Sequence, residues 1–112
     1  MSKREELIAK YSEEFKKMNI SFDADLLTKV TVGLGPSIYN ADSSTVSCSD
    51  ETELQRVIDN FLVKKLGLTN SQDELMAGVK DVCVQLGTSN KNKYRPMFYY
   101  LLVKKFKKES AY

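Results

Sequence analysis

Start and stop signals for helices recur along the 112-residue chain, and they constrain its fold more than any other feature. A Ser or Asp followed three residues later by Glu can cap the first turn of a helix, because the paired residues satisfy free backbone N–H groups. Apolar residues follow each such pair at helical spacing, and Gly67 and Gly87 end two of the runs. The pairs are Ser2 with Glu5, Asp50 with Glu53, and Ser71 with Glu74. The pattern predicts an all-α fold.

We expect residues 1–112 to form a single compact domain, a bundle of about five helices. The predicted helices cover residues 3–18, a segment from the cap Asp23 to a stop at 33–36, residues 51–66, residues 72–86, and a last helix from 94–96 to about 108. The last helix is apolar on every side in its middle, which is typical of a helix buried at the centre of a bundle.

The turn-rich loop 35–49 is long for a connection inside a compact domain, and such loops usually carry function or some structure of their own. Pro36 could begin a single helical turn that reaches Tyr39. A short hairpin that joins residues 37–40 to residues 44–47 is the other arrangement. The sequence leaves both open.

The chain has no histidine, and this excludes several classes of enzyme and metal site. A Ser-His or Cys-His nucleophile pair cannot form, and neither can a histidine-ligated zinc site. An enzyme would have to use carboxylates, Lys, Tyr or backbone donors, and no catalytic motif of this kind is present; we expect no metal and no cofactor. The two cysteines, Cys48 and Cys83, are expected to be free and reduced, because thiols of cytosolic proteins rarely pair.

The sequence favours a cytoplasmic protein that does not enter a membrane. Residues 1–6 run straight into an amphipathic pattern, without the apolar stretch of a signal peptide. The longest apolar run, residues 97–103, is far shorter than the roughly 20 residues that a membrane-spanning helix needs.

Charge is divided unequally between the two parts of the chain. Residues 88–112 carry seven basic residues and one acid, a net charge of +6, whereas residues 1–87 carry ten basic and 14 acidic residues, a net charge of −4. The four lysines that end the last helix suit the negative end of its dipole. Three other cations lie at the positive end of that dipole, where helices prefer acids.

The segment before the last helix is the main candidate site. Lys91, Lys93 and Arg95, with the amides of Asn90 and Asn92, form a candidate anion site for phosphate or carboxylate groups. The alternative is that the three cations pair with acids of the first part of the chain. A helix-turn-helix would make the partner a nucleic acid, but the last helix has little polar face and a net charge of +2 is low for that role.

A second candidate site lies in the long loop, where Tyr39, Asn40 and Asp42 could bind a small metabolite or take part in catalysis. Turn formation explains the Asn and the Asp equally well. A site of this kind requires the loop to fold against the start of the last helix and to enclose a pocket.

Several segments of the chain are similar to a known family. They are residues 26–42, residues 60–68, and residues 89–95 leading into 98–102. Through them the chain resembles a family of small bacterial proteins that is classed only as a domain of unknown function. The resemblance implies a bacterial origin, and it brings no activity, cofactor or catalytic residue.

The favoured hypothesis is a cytoplasmic, non-enzymatic binding or regulatory module whose basic helix start contacts an anionic ligand, protein or nucleic acid. A metabolite-binding protein or enzyme that uses the loop 35–49 is the alternative, and a structural homo-oligomer is a third hypothesis. The sequence alone does not define a molecular function.

Overall fold

Five α-helices make up most of the computed structural model, which describes residues 3–39, 44–87 and 93–112. They are α1 (Lys3–Lys17), α2 (Ala24–Leu34), α3 (Glu51–Val57), α4 (Gln72–Leu86) and α5 (Arg95–Lys105). Shorter elements are a 3-10 helix at Gly35–Tyr39, a π-helix at Ile58–Val63 and a 3-10 helix at Glu109–Ala111. None of the described helices is both long and apolar enough to cross a lipid bilayer. These ranges contain an isolated β-bridge but no strand, so the all-α prediction is confirmed.

Side-chain caps fix where three of the helices begin, as the sequence predicts. The carboxylate of Asp23 accepts a hydrogen bond from the backbone N–H of Asp25 at 2.9 Å, and Asp50 caps α3 in the same way. The hydroxyl of Ser71 accepts from the N–H of Glu74 at 3.2 Å. Each bond satisfies a donor that the first turn of a helix would otherwise leave without a partner.

Both glycines that the sequence marks as stops do follow the ends of helical segments. Gly67 and Gly87 have φ angles of +67° and +100°, which residues with a side chain rarely adopt. The cap predicted at Ser2 lies outside the described residues.

The last helix occupies the centre of the hydrophobic core, as its apolar pattern predicts. Every residue of α5 from 96 to 103 is buried, and the helix packs against α2 and α4. Tyr11 and Phe15 of α1 reach the same core, with 1% and 0% of their surface exposed. Because the middle of α5 is covered on all sides, only its two ends can contact other molecules.

The helix that the sequence predicts over residues 51–66 changes its geometry half-way. The π-helix Ile58–Val63 continues directly from α3. Its wider turns place three of its side chains in the core, and the ring of Phe61 stacks on Tyr99 of α5 at a centroid distance of 4.1 Å. Contacts with α5 therefore accompany the departure from a regular α-helix.

α5 ends at Lys105, three residues before the predicted end at 108. Lys107 has a φ angle of +55°, which reverses the chain. The ring of Phe106 approaches α4 at Gly78 so closely that a β-carbon on this glycine would overlap it. The end of α5 is thus set by a contact with α4 that the sequence pattern does not reveal.

One of the two arrangements considered for the loop 35–49 is present. A 3-10 helix covers Gly35–Tyr39, which is the single helical turn that the sequence allowed. Within the described part of the loop, residues 44–46 do not form a hairpin with 37–40, because they pair with residues 93–95.

The expectation of two free cysteines is wrong. Cys48 forms a disulfide with Cys83 of α4, and their Cα atoms are 6.1 Å apart, within the usual range for such a bond. Cys83 is buried, as a small apolar residue of α4 should be, but folding brings Cys48 onto it from the loop. The two residues are 35 positions apart, so local sequence patterns carry no sign of the contact.

Removal of the disulfide should destabilise the fold. A cross-link between residues 35 positions apart restricts the unfolded chain, and the chain-entropy model assigns about 3 to 4 kcal/mol to a loop of this length. We expect the double variant Cys48→Ser/Cys83→Ser to unfold at a lower urea concentration. A dithiol reductant should lower the midpoint of the unmodified chain and leave that of the variant unchanged. Two titratable thiols in the unfolded, unreduced protein would contradict the disulfide.

Two helical glycines should respond in opposite ways to substitution by alanine. A β-carbon at Gly78 would overlap the Phe106 ring, whereas one at Gly33 would lie 3.5 Å from Cε1 of Tyr112, an ordinary contact. Overpacking costs about 1 to 3 kcal/mol, while Gly→Ala inside a helix is favourable by up to about 1 kcal/mol. Urea unfolding should show Gly78→Ala to be destabilised and Gly33→Ala not. Adding Phe106→Leu to Gly78→Ala should recover part of the loss, and equal stability of the two single variants would contradict the close approach.

Candidate anion-binding site at the start of the last helix

Backbone hydrogen bonds join the end of the long loop to the segment before α5. The N–H of Val46 donates to the carbonyl of Lys93, and the N–H of Arg95 donates to the carbonyl of Ser44, both at 2.8 Å. The result is a short antiparallel bridge. It brings the loop against the start of the last helix, which is the first requirement of the loop site considered from the sequence.

Arg95 is held by side-chain and backbone groups inside this frame. Its Nη2 donates to Oε1 of Glu53 at 2.5 Å and to the carbonyl of Thr45 at 3.3 Å, and its Nη1 donates to the hydroxyl of Tyr99 at 3.1 Å. The side chains of Arg95 and Glu53 are only 12% and 21% exposed. Burial alone lowers the pKa of Arg95, but the hydrogen bond with Glu53 and the interactions with Tyr99 outweigh it and raise that pKa. The guanidinium charge is therefore engaged inside the fold, by an acid from the first part of the chain.

The pairing of Glu53 corrects its predicted role in a capping box. The backbone N–H of Asp50, which the box would give to Glu53, donates to the carbonyl of Ser47 at 3.3 Å. The carboxylate turns to Arg95 instead, 42 positions along the chain. The shielded guanidinium gains more from the carboxylate than the backbone N–H of Asp50 would, because that N–H already has the Ser47 carbonyl as its acceptor.

The other residues of the predicted anion site are less open than the sequence suggests, or are not described. Lys93 is only 6% exposed, so its ammonium group is not displayed on the surface. Lys91, Asn90 and Asn92 lie outside the described residues. Of the five predicted residues, only Lys93 and Arg95 can therefore be located relative to each other.

Of the predicted loop site, Tyr39 alone falls within the described residues, and Asn40 and Asp42 do not. Tyr39 ends the 3-10 helix and is 44% exposed. Nζ of Lys3 lies 5.9 Å from the centroid of its ring, within reach of a cation–π interaction. Tyr39 thus lies beside α1.

Tyrosines gather where α1 passes the start of α5. The centroids of the Tyr11 and Tyr94 rings are 5.4 Å apart, and Nζ of Lys10 lies 4.7 Å from the Tyr94 centroid. Burial, together with the neighbouring Tyr94 and Tyr39, raises the pKa of Tyr11 to about 12. Tyr39 is therefore close enough to Tyr11 to interact with it electrostatically. The loop and the helix start share one surface with α1.

The contribution of α1 to this surface was missing from the sequence-based prediction. Lys3 and Lys10 are seven residues apart, which places them on one face of a helix. That spacing is a weak signal, because most lysines on a helix surface are simply solvated. Tyr11 lies in the hydrophobic core, with 1% of its surface exposed.

We refer to Lys3, Lys10, Tyr39 and Tyr94 as the basic face. Its ammonium and phenol groups are hydrogen-bond donors that suit phosphate or carboxylate oxygens. Its aromatic rings also supply flat apolar surface beside the charges. Across the described ranges, no group of three or more cysteine or acidic side chains is arranged to hold a metal ion. The basic face thus offers groups that can bind an anion.

The comparison with protein families identifies the relatives of the chain. The model of the family described as "Protein of unknown function (DUF2853)" matches residues 10–110. The chain belongs to this family. The match includes three members of the basic face and begins after Lys3, so the DUF2853 segment contains most of that surface. A comparison with curated proteins found no match.

Tyr11 should make the stability of the fold depend on alkaline pH. Its pKa is raised to about 12 in the folded protein, against about 10 in an unfolded chain. Between these values the unfolded chain loses the proton while the folded chain keeps it, so stability that is complete below about pH 10 falls as the pH rises to about 12. Urea unfolding at several pH values should show a shallower fall for Tyr11→Phe. An identical fall in the variant and the unmodified chain would contradict this assignment.

Proposed function

We propose that the protein is a small, non-enzymatic binding module that contacts an anionic partner with the basic face. The observation that carries the proposal is the position of two exposed cations of α1, Lys3 and Lys10, over the rings of Tyr39 and Tyr94. These rings belong to the loop and to the helix start, the two places where the sequence suggested a site.

Exposed cations can contact a partner, whereas shielded cations stabilise the fold. The charge of Arg95 is balanced by Glu53 at 2.5 Å, whereas the side chains of Lys3 and Lys10 lie at the surface. Glu14, one turn after Lys10, is itself close to Lys17 at 3.7 Å. The ammonium groups of α1 are thus placed to exchange water for phosphate or carboxylate oxygens.

The residues first suggested by the sequence are part of the same proposal. In the sequence, Lys91, Asn90 and Asn92 come directly before the segment 93–95 that pairs with the loop. Arg95 has a supporting role, because it orients the start of α5 through Glu53. Charge reversal at Arg95 is consequently a poor test of binding, since breaking this largely shielded ion pair would also destabilise the fold.

Reversal of the two α1 charges should weaken binding to an anionic partner. The probes are inorganic phosphate, a polyglutamate peptide, and single- and double-stranded oligonucleotides, titrated from about 20 mM to about 300 mM salt. We expect Lys3→Glu/Lys10→Glu to lower the affinity for the bound probe by about tenfold or more, equal to about 1.4 kcal/mol. A steep salt dependence would identify a polyanion, because binding releases its counterions.

The matched control is Lys16→Glu/Lys17→Glu. It changes the net charge equally, at the other end of α1, where both lysines are exposed and lie near Glu13 and Glu14. Equal losses in the two double variants would mean that net charge, and not the basic face, controls binding. Failure of every probe to bind at low salt would reject an anionic partner.

A small-metabolite site that uses the loop is the second candidate. Its support is the pairing of residues 44–46 with 93–95, which holds the loop beside the start of α5. The same titration separates the two candidates. Loss of phosphate binding in Tyr39→Phe, with oligonucleotide and peptide binding unchanged, would favour the metabolite site.

A cytoplasmic location and a bacterial origin complete the proposal. Their support is the sequence pattern and the family resemblance given above. The Cys48–Cys83 disulfide weighs against the location, since structural disulfides persist mainly in oxidising compartments. Trapping of thiols in intact cells, followed by mass measurement, would distinguish the reducing cytoplasm from an oxidising compartment.

A further inference from the structure

A cleft lies between α2 and the C-terminal 3-10 helix. Most of its lining is apolar, and it also contains two lysines. Its volume is about 360 Å³, near the lower end of the range for small-molecule sites. We call it the Tyr112 cleft, and its lining includes Lys29, Val32, Gly33, Lys65, Ala111 and Tyr112. None of these residues belongs to the basic face, so an inference about the cleft does not depend on the proposed function.

Apolar surface in the Tyr112 cleft is open to solvent. Val32 is 46% exposed, and the neighbouring Gly33 has no side chain with which to cover it. A β-carbon at Gly33 would already lie 3.5 Å from Cε1 of Tyr112. A larger side chain at this position would therefore close the space between α2 and the ring.

The Tyr112 ring forms a neutral aromatic wall. The backbone N–H of Tyr112 donates to the carbonyl of Glu109 at 3.0 Å, and Nζ of Lys65 lies 4.7 Å from the ring centroid. Burial raises the pKa of Tyr112 to about 12, with a further contribution from Tyr99. The phenol stays protonated at neutral pH, so the ring adds apolar surface and no negative charge.

The charged side chains that line the Tyr112 cleft have one sign. Lys29 and Lys65 belong to its lining, which includes no acid among the described residues. Acids, including Asp25 and Glu109, line an adjoining concavity of about 330 Å³ that shares Lys29 and Tyr112 with the cleft. The Tyr112 cleft is therefore apolar with basic side chains, whereas the acids lie in the adjoining concavity on the other side of Lys29.

We propose that the Tyr112 cleft binds a small organic anion, namely a flat apolar body of one or two rings that carries a single carboxylate or sulfonate. The body would cover Val32 and Gly33 and contact the Tyr112 ring. The anionic group would lie by Lys29 and Lys65. An uncharged ligand would form no ion pair with the two ammonium groups, and an inorganic anion would leave the apolar surface exposed to water.

Binding of naphthoate to the oxidised 112-residue chain tests the proposal. Naphthamide, which has the same rings without the charge, and acetate, which has the charge without the rings, are the comparison ligands. In NMR titrations of the labelled protein, naphthoate should shift the backbone amide signals of Val32, Gly33 and Tyr112 and should saturate. Acetate and naphthamide should bind at least about tenfold more weakly, a difference of about 1.4 kcal/mol.

Three variants assign the binding to the cleft. Lys29→Gln/Lys65→Gln should weaken naphthoate binding by about tenfold or more, whereas Lys64→Gln removes the adjacent exposed charge and should leave it unchanged. Gly33→Val should fill the cleft and abolish binding, while the amide spectrum shows that the variant is folded.

Three results would overturn the proposal. They are the absence of saturable naphthoate shifts, equal affinity for naphthamide, and equal loss in Lys64→Gln and in the double variant. Unchanged binding by a folded Gly33→Val would likewise exclude the cleft as the site. All these results are independent of the basic face, whose test uses different residues and probes.

Discussion

Burial of α5 on every side is the constraint on which the rest of the structure depends. Residues 96–103 have no face in water, so the neighbouring helices must cover them and any polar atom among them needs a partner inside the fold. The tyrosines of α5 meet this condition in specific ways. The hydroxyl of Tyr100 accepts from the N–H of Asp23 at 2.6 Å, and Tyr99 bonds to Arg95. These bonds tie α5 to the first turn of α2 and to the frame at its own start.

The same constraint explains why the basic C-terminal part of the chain is not one basic surface. The lysines at the end of α5 lie in water and form exposed pairs, such as Lys105 with Asp81 at 3.0 Å and Lys104 with Glu109 at 3.8 Å. Pairs of this type contribute little to stability. Arg95, at the other end, is shielded and engaged by Glu53. Among the described residues, the surface charge that remains beside the start of α5 comes from α1, which belongs to residues 1–87, the part of the chain with a net charge of −4.

Local signals in the sequence predict the helices well, and contacts between distant residues account for what they miss. The caps at Asp23, Asp50 and Ser71 use donors within three residues, so their spacing is visible in the sequence. The buried state of α5 follows from apolar residues at every angle around its axis. The π-helix Ile58–Val63 differs, because its departure from α-helical geometry accompanies packing against Tyr99.

The candidate sites were harder to predict than the helices for the same reason. Glu53 meets Arg95 across 42 positions, and Cys48 meets Cys83 across 35. The capping-box spacing predicts a local role for Glu53, and the rarity of cytosolic disulfides predicts free cysteines. Neither rule takes account of a partner that is distant in the sequence. The sequence does not distinguish Lys10 from other surface lysines, and only the fold places it over Tyr94. Spacing on one helix can show which residues share a face, but not what that face meets.

The segment that supports the basic face is held in two independent ways, and this separates binding from stability. Val46 is 4% exposed and donates to Lys93, so the pairing with the start of α5 is buried and hydrogen-bonded. Two residues later, Cys48 is joined to α4 by the disulfide. Cleavage of the disulfide removes a constraint on the unfolded chain, yet it leaves the hydrogen bonds of Val46 and Arg95 and the contacts of α1 in place. The geometry of the basic face therefore depends on the hydrogen-bonded pairing of residues 44–46 with 93–95, whereas the disulfide mainly increases the free energy of unfolding of the whole fold.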